Sequence, residues 1–282
     1  MGRLLLKISL IYLLCCFHCK LHSFSYEQFR DGWFTTIYII TVDPLTDEIA
    51  LARNSGIENH RETVKVISSR QNAIAAVNGG FWHSDGSPAG ILKISGVWYG
   101  LPTKPRGAFG WSDGGSQVLI DQVRTNPEDL ENQSAIRVFP QSKPPYTYGI
   151  DWDIAENIVG GVPVLVRNSK VVQDFSSERA LASFIEKRHS RTAVGVREDS
   201  QLVLAVVEGA FYGLLGGMTI PELAQKMRDF GCVDALNLDG GASSTMVVEN
   251  VVVNNPYGTF IEDGKRVQEV SDAILVFSRP QE

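Results

Sequence analysis

Three times in this chain an apolar, strand-forming run ends in a polar or acidic residue and is then broken by glycine and a small neighbour. The runs are Ala75-Ala76-Val77-Asn78-Gly79-Gly80-Phe81, Ala205-Val206-Val207-Glu208-Gly209-Ala210-Phe211 and Ala235-Leu236-Asn237-Leu238-Asp239-Gly240-Gly241. Short apolar runs bounded by turn formers read as buried strands. Nothing outside the turns matches at a fixed period, so the runs are not a sequence repeat. The expectation is three buried strands whose polar ends converge on one site, because strand ends on a rigid sheet are good platforms for binding groups.

The third run carries the most chemistry, since Asp239 is followed by Gly240-Gly241-Ala242-Ser243-Ser244-Thr245. A structural turn needs one glycine for its positive φ, with an Asp or Asn beside it at most. Paired glycines let backbone N–H groups approach an oxygen-rich ligand, and hydroxyls add donors to that concavity. The stretch reads as a phosphate or sugar cradle with one carboxylate. The alternative is a hairpin turn followed by a polar edge strand.

Elsewhere the local signals favour strands joined by hairpins. Thr35–Val42 is β-branched and aromatic, Asp43-Pro44 opens a turn, and 48–53 is expected to return as its hairpin partner. The spacing predicts a helix over 62–71 with Val64 and Ile67 inside and Val66 as a third candidate, then a strand from Ala73. Turn formers fill 81–90, a predicted loop over the pocket mouth in which Phe81 and Trp82 either stack on a sugar ring or pack inward. His83 and Asp85 are too sparse for a metal site. A hairpin is predicted around Asp113-Gly114-Gly115, a long loop or insertion over 124–148, and a strand over 158–166 leading to a turn at Asn168-Ser169. Asp151-Trp152-Asp153 is read as a solvated acidic pair. A short helix is expected over 180–187, and 192–196 with 202–207 as a hairpin. Thr219-Ile220-Pro221-Glu222 is a capping box opening a helix that Gly231 closes. A strand over 233–238, a tight hairpin at Glu249-Asn250 and a strand over 271–277 complete the reading. The expected fold is α+β: a mixed, largely antiparallel sheet system with few helices, in a single catalytic domain.

With 44% apolar and 21% charged residues the chain can build a core, and a net charge of −6 without a basic stripe argues against nucleic acid as a partner. Arg3 and Lys7 flank an apolar run, Ile8 to Phe17, too short to span a bilayer and suited to a secretory signal. The expectation is a signal over 1–23, the domain over 24–282, and a secreted, periplasmic or cell-envelope location, with lipid or membrane anchoring as the alternative. Three of the four cysteines lie in that signal, so Cys232 is expected alone in the core and no disulfide is expected. No G-x-S-x-G elbow is present, and the five histidines are scattered at 18, 22, 60, 83 and 189.

Four motifs, in order, resemble the phosphodiester glycosidase domain family: Val77-Asn78-Gly79-Gly80-Phe81, then His189-Ser190-Arg191-Thr192-Ala193-Val194-Gly195, then Gly217-Met218-Thr219-Ile220-Pro221-Glu222-Leu223-Ala224, then Asn237 to Thr245. Gly160-Gly161 with Pro163 adds the family's glycine-rich strand, and the resemblance runs from about 35 to 277. Ser190 stands where the family has Pro, and Glu208 where it more often has Asp. The resemblance implies cleavage of the glycosidic C–O bond of a sugar-1-phosphodiester resembling that of N-acetylglucosamine, releasing sugar and a phosphomonoester. It implies Asp239, Glu208 and Arg191 as catalytic residues, with Arg191 the phosphate clamp. Asn78, Gly79, Gly80, Thr192, Gly240, Gly241, Ser243, Ser244 and Thr245 would bind substrate, Asn78 through sugar hydroxyls or an N-acetyl group. Neither cofactor nor metal is expected, and the partner is a sugar-phosphodiester or glycan substrate, bacterial-type envelope glycopolymers by analogy. Two other classes compete: a non-catalytic glycan or sugar-phosphate-binding envelope protein, and a phosphodiesterase cutting P–O.

Overall fold

The computed structural model describes residues 24–54, 60–101, 104–125, 138–140, 152, 155–209 and 215–280. The expected signal over 1–23, most of the predicted loop over 124–148, and Asp151 and Asp153 lie outside the described residues.

The uninterrupted apolar run over 202–207 has no polar face to give to water, so it must be covered on both sides. It is. Leu202, Leu204 and Val206 point into the main core, while Val203, Ala205 and Val207 pack into a second cluster. Each such fully buried aliphatic side chain contributes about 1.5–3 kcal/mol relative to exposure. The strand Leu202–Gly209 sits inside an antiparallel sheet in the order 25–30, 35–42, 202–209, 191–197, 232–237, 164–167, 170–171. A second sheet runs 138–140, 117–125, 106–112, 157–161, 92–94, 97–100. A third runs 251–252, 246–248, 75–78, 272–278, 47–53. Strands of all three sheets donate side chains to the main core, including Tyr38, Val77, Phe109, Trp111, Leu236 and Ile274.

The helix Ile220–Asp229 covers the outer face of the first sheet with Ile220, Leu223, Ala224 and Met227. Its capping box closes as read: Thr219 Oγ1 accepts from Glu222 N, and Glu222 accepts from Thr219 N at 2.9 Å. The helix Val64–Arg70 covers the third sheet with Val64 and Ile67, and Val66 faces solvent. The α+β expectation is met by antiparallel sheets with few helices.

Two expectations are corrected. The strands Thr35–Val42 and Asp47–Arg53 are not a hairpin: the first pairs with 25–30 and 202–209, the second only with 272–278, so the turn at Asp43 carries the chain between sheets. Nor is 158–166 one strand. It splits at the Val162–Pro163 bond into Asn157–Gly161, in the second sheet, and Val164–Arg167, in the first. Proline cannot donate to a ladder, so the ladder stops there. The hairpin turns at Asn168-Ser169 and Glu249-Asn250 form where predicted, with positive φ at all four residues.

Candidate active site

The ends of the strands Ala75–Asn78 and Cys232–Asn237 come from different sheets and are stitched side to side. Asn78 is fully buried and accounts for the join. Its Oδ1 accepts from Thr192 Oγ1 (2.7 Å) and Thr245 N (3.1 Å), and its Nδ2 donates to the Asp239 carbonyl (2.8 Å). Asp239 N in turn donates to the Gly79 carbonyl. Asn78 and Thr192, expected as substrate contacts, thus spend polar atoms on protein partners and position the turn.

Asp239 stands half-buried on that turn, its Oδ1 accepting from Gly240 N at 2.8 Å. Burial pushes its carboxyl up to about 6, against the hydrogen bonds of the Ser243 hydroxyl and the Gly240 N–H. The negative charge of Asp272 adds to the rise, and the nearby Trp82 indole N–H, which makes no hydrogen bond, weakly opposes it. An acid so placed changes charge close to neutrality, which is what proton-transfer chemistry requires.

Asp272 is the carboxylate that sequence reading missed. It opens the strand Asp272–Ser278, is buried, and accepts from Gly80 N (2.8 Å) and Ser271 Oγ. Burial holds its carboxyl above the usual range. Gly79 is required beside it, since a Cβ there would lie 2.0 Å from Asp272 Oδ1. Gly79 and Gly80 thus make room for a buried carboxylate. An acid at the head of an apolar strand is a faint signal, because most such residues are solvated.

Arg191 is fully buried. Nε donates to the Met218 carbonyl (2.9 Å), and Nη2 donates to the carbonyls of Phe184 (2.8 Å) and Lys187 (2.9 Å). The guanidinium lies over the Phe184 ring, 4.7 Å from its centroid. Burial pulls it down to about 10, so it stays cationic at neutral pH. One edge of the guanidinium expected to clamp phosphate is committed to main-chain carbonyls through Nε and Nη2.

Glu208, expected as a second catalytic carboxylate, is held by protein groups. Its carboxylate accepts from Tyr38 Oη (2.9 Å) and Asn255 N (2.7 Å), and it is Asp272, not Glu208, whose charge bears on Asp239. Glu208 anchors the segment that delivers Tyr257. The Tyr257 phenol interacts with Ser190, Arg191 and Asp239, and burial raises it so that it stays protonated at neutral pH. Its hydroxyl lies 3.1 Å from where a Cβ on Gly241 would be. Gly241 has φ +64°, as a tight turn requires, and its N–H donates to the Ser190 carbonyl.

The hydroxyl run is mostly under the turn. Ser243, Ser244 and Thr245 are buried, and Ser244 Oγ and Thr245 Oγ1 have no hydrogen-bond partner among the described residues. Gly240 and Gly241 remain partly open to solvent. His83 and Asp85 are exposed, and Asp85 caps its own turn through Ser87. Among the described residues no three His, Cys, Asp or Glu side chains are grouped to hold a metal ion. Cys232 is buried, and burial pushes its thiol up to about 12, which makes it an inert core residue.

Beside the turn, a groove of about 410 Å³ runs past Phe81, Phe184, Gly160, Gly161 and Leu181, with Lys104 and Arg106 in its wall. Phe81 and Phe184 meet edge to face at 6.0 Å.

A prophage-derived uncharacterized protein of Bacillus subtilis, YomE, is 27% identical over 197 residues, covering 70% of this chain and 27% of that protein. The mouse N-acetylglucosamine-1-phosphodiester alpha-N-acetylglucosaminidase is 28% identical over 108 residues, 35% of this chain and 20% of that enzyme. The chain thus spans about a quarter or less of the curated relatives it matches. The catalytic domain of the zebrafish N-acetylglucosamine-1-phosphodiester alpha-N-acetylglucosaminidase, auto-inhibited by its pro-peptide, superposes with a TM-score of 0.64 at 22% identity, covering 91% of this chain and 82% of that one. A hypothetical protein from Synechocystis superposes with a TM-score of 0.65 at 18% identity, over 91% and 62% of the two chains. These likenesses establish a shared fold. Residues 71–277, which hold both stitched strand ends and Asp272, match the sequence model described as phosphodiester glycosidase, and the chain belongs to that family.

Proposed function

We propose that this protein hydrolyses the glycosidic C–O bond of a sugar-1-phosphodiester of the N-acetylglucosamine type, with Asp239 as the carboxylate at the reacting carbon. The observation that carries the reading is Asp239 itself, a half-buried acid raised to about 6 on a glycine turn, with Tyr257 and Arg191 beside it. The departing phosphomonoester is a good leaving group, so a strong general acid is not needed. What lowers the barrier is charge stabilisation of the departing phosphate and a carboxylate for the oxocarbenium-like carbon or the attacking water. Above pH 6 ionised Asp239 takes a proton from water as its oxygen bonds to the anomeric carbon. The C–O bond breaks with its electron pair leaving on the phosphate. The phenolic O–H of Tyr257 supplies a donor at the Gly240-Gly241 turn, and Arg191 supplies positive charge. Burial keeps Asp239 basic, and the charge of Asp272 adds to the effect. Glu208 fixes the segment bearing Tyr257. Residues 1–23 direct the protein to the secretory route or cell envelope, where sugar-phosphate glycopolymers are found.

The test is hydrolysis of an α-N-acetylglucosamine-1-phosphodiester in ¹⁸O-water, with Asp239→Asn in parallel. Label in the sugar, lost in the variant, is the expected result. Label in the phosphate would reassign the protein to P–O cleavage. A ligand bound without turnover would make it a binding protein.

A further inference from the structure

The groove that runs past Phe81 and Phe184 has a composition that the cleavage chemistry does not require. Its walls are largely apolar: Phe81, Phe184, Leu101, Leu181, Val162 and Pro88. Leu181 stands 75% exposed at its edge and extends the apolar wall toward solvent. Two cations, Lys104 and Arg106, stand in the same wall, and Arg106 is held in place through the Glu178 carbonyl.

The groove is continuous with the proposed site through shared residues. Phe184 lines it and also supports the Arg191 guanidinium, with its ring beneath and its carbonyl as acceptor. Phe81 lines it directly after Gly79-Gly80, the pair that packs against Asp272. Gly160 lines it and abuts Gly80, whose added Cβ would lie 3.0 Å from the Gly160 carbonyl. A diester whose sugar carbon lies at Asp239 therefore has the groove as the adjoining space for the group on the other side of phosphate. A polyol or glycan there would leave hydroxyls against phenylalanine and leucine at a desolvation cost. A hydrocarbon buries apolar area, while the nearby cations attract the phosphate it carries. The volume suits a small-molecule group, not a polymer chain.

We infer that the groove is the subsite for the leaving alcohol and that it takes an apolar one, so that the preferred substrates are sugar-1-phosphodiesters of hydrocarbon-bearing alcohols. This rests on the glycosidase reading above for its direction but has a binding readout of its own.

The experiment compares octyl and glyceryl diesters of α-N-acetylglucosamine-1-phosphate as substrates, and octyl phosphate with glycerol phosphate as ligands by calorimetry, in the full chain and in Leu181→Asp. The expected result is a KM for the octyl diester about ten-fold or more below that for the glyceryl one, a matching ratio in Kd, and collapse of both ratios toward one in the variant. Equal constants for the two diesters and the two phosphates would overturn the inference. So would a preference that survives Leu181→Asp, which would put the hydrocarbon elsewhere. Dimerisation that closes the groove to octyl phosphate would assign it to a second copy of the chain and overturn it too. Tight octyl phosphate binding lost in Leu181→Asp, with no sugar released from either diester, would retain the apolar site and sink the glycosidase reading alone.

Discussion

The side-chain amide of Asn78 donates to the main-chain carbonyl of Asp239 at 2.8 Å, tying the third sheet to the turn of the first. Because Asn78 Oδ1 also accepts from Thr192 and from the backbone of Thr245, one buried amide holds three segments of the site. Asn78→Ala leaves a buried N–H, a hydroxyl and a carbonyl without partners. Leaving such groups unpaired costs about 1–3 kcal/mol each at most, with partial relief by relaxation. The expected loss is about 3 kcal/mol in urea unfolding, with turnover reduced because Asp239 is no longer aimed. A stability within about 0.5 kcal/mol of wild type would contradict the stitched-strand account.

Asp239 links stability to pH in the unusual direction. Its folded-state carboxyl is raised to about 6 from an ordinary 3.8, so between those values the folded protein binds more protons than the unfolded chain. Stability therefore falls as pH rises through that window. Buried Asp272, also raised, acts in the same sense. Asp239→Asn, which keeps an acceptor for Gly240 N, is expected to raise Tm at pH 7.5 and lose that advantage below about pH 4. Thermal melts of both proteins across the range check it. A variant less stable than wild type at pH 7.5 would show that the charge is not held at a cost.

Turnover should follow the same group. Wild-type kcat/KM is expected to climb with pH through about 6, and Asp239→Asn to lose about a hundred-fold or more. Glu208→Gln is expected to stay within about five-fold of wild type, since an amide oxygen can still accept from Asn255 N and Tyr38 Oη. A Glu208→Gln loss equal to that of Asp239→Asn would return Glu208 to the chemistry.

Gly79→Ala places a methyl carbon 2.0 Å from Asp272 Oδ1 and 3.2 Å from its carbonyl oxygen, both buried. Overpacking of this kind costs about 1–3 kcal/mol, and moving Asp272 also frees Gly80 N. Denaturant unfolding is expected to show a loss at the upper end of that range. An undisturbed midpoint would mean that Asp272 does not occupy the place described.

Local chemistry in the sequence determined most of the elements. The run Thr35–Val42, the Thr219 capping box, the turns at Asn168-Ser169 and Glu249-Asn250 and the glycine turn after Asp239 all depend on residues within a few positions of one another. Motif order was enough to identify the family. Tertiary structure alone decided which sheet each strand joins, and so why 47–53 abandons its neighbour and 157–167 serves two sheets. It also decided which way the site's side chains face. Asn78, Arg191 and Glu208 look like ligand contacts in a motif, yet each satisfies protein groups brought near by pairing partners far along the chain. Asp272 meets the site only because its strand lies beside 75–78. A polar residue at a strand end has the same local signal whether it faces ligand or core. Only long-range pairing settles where its hydrogen bonds go.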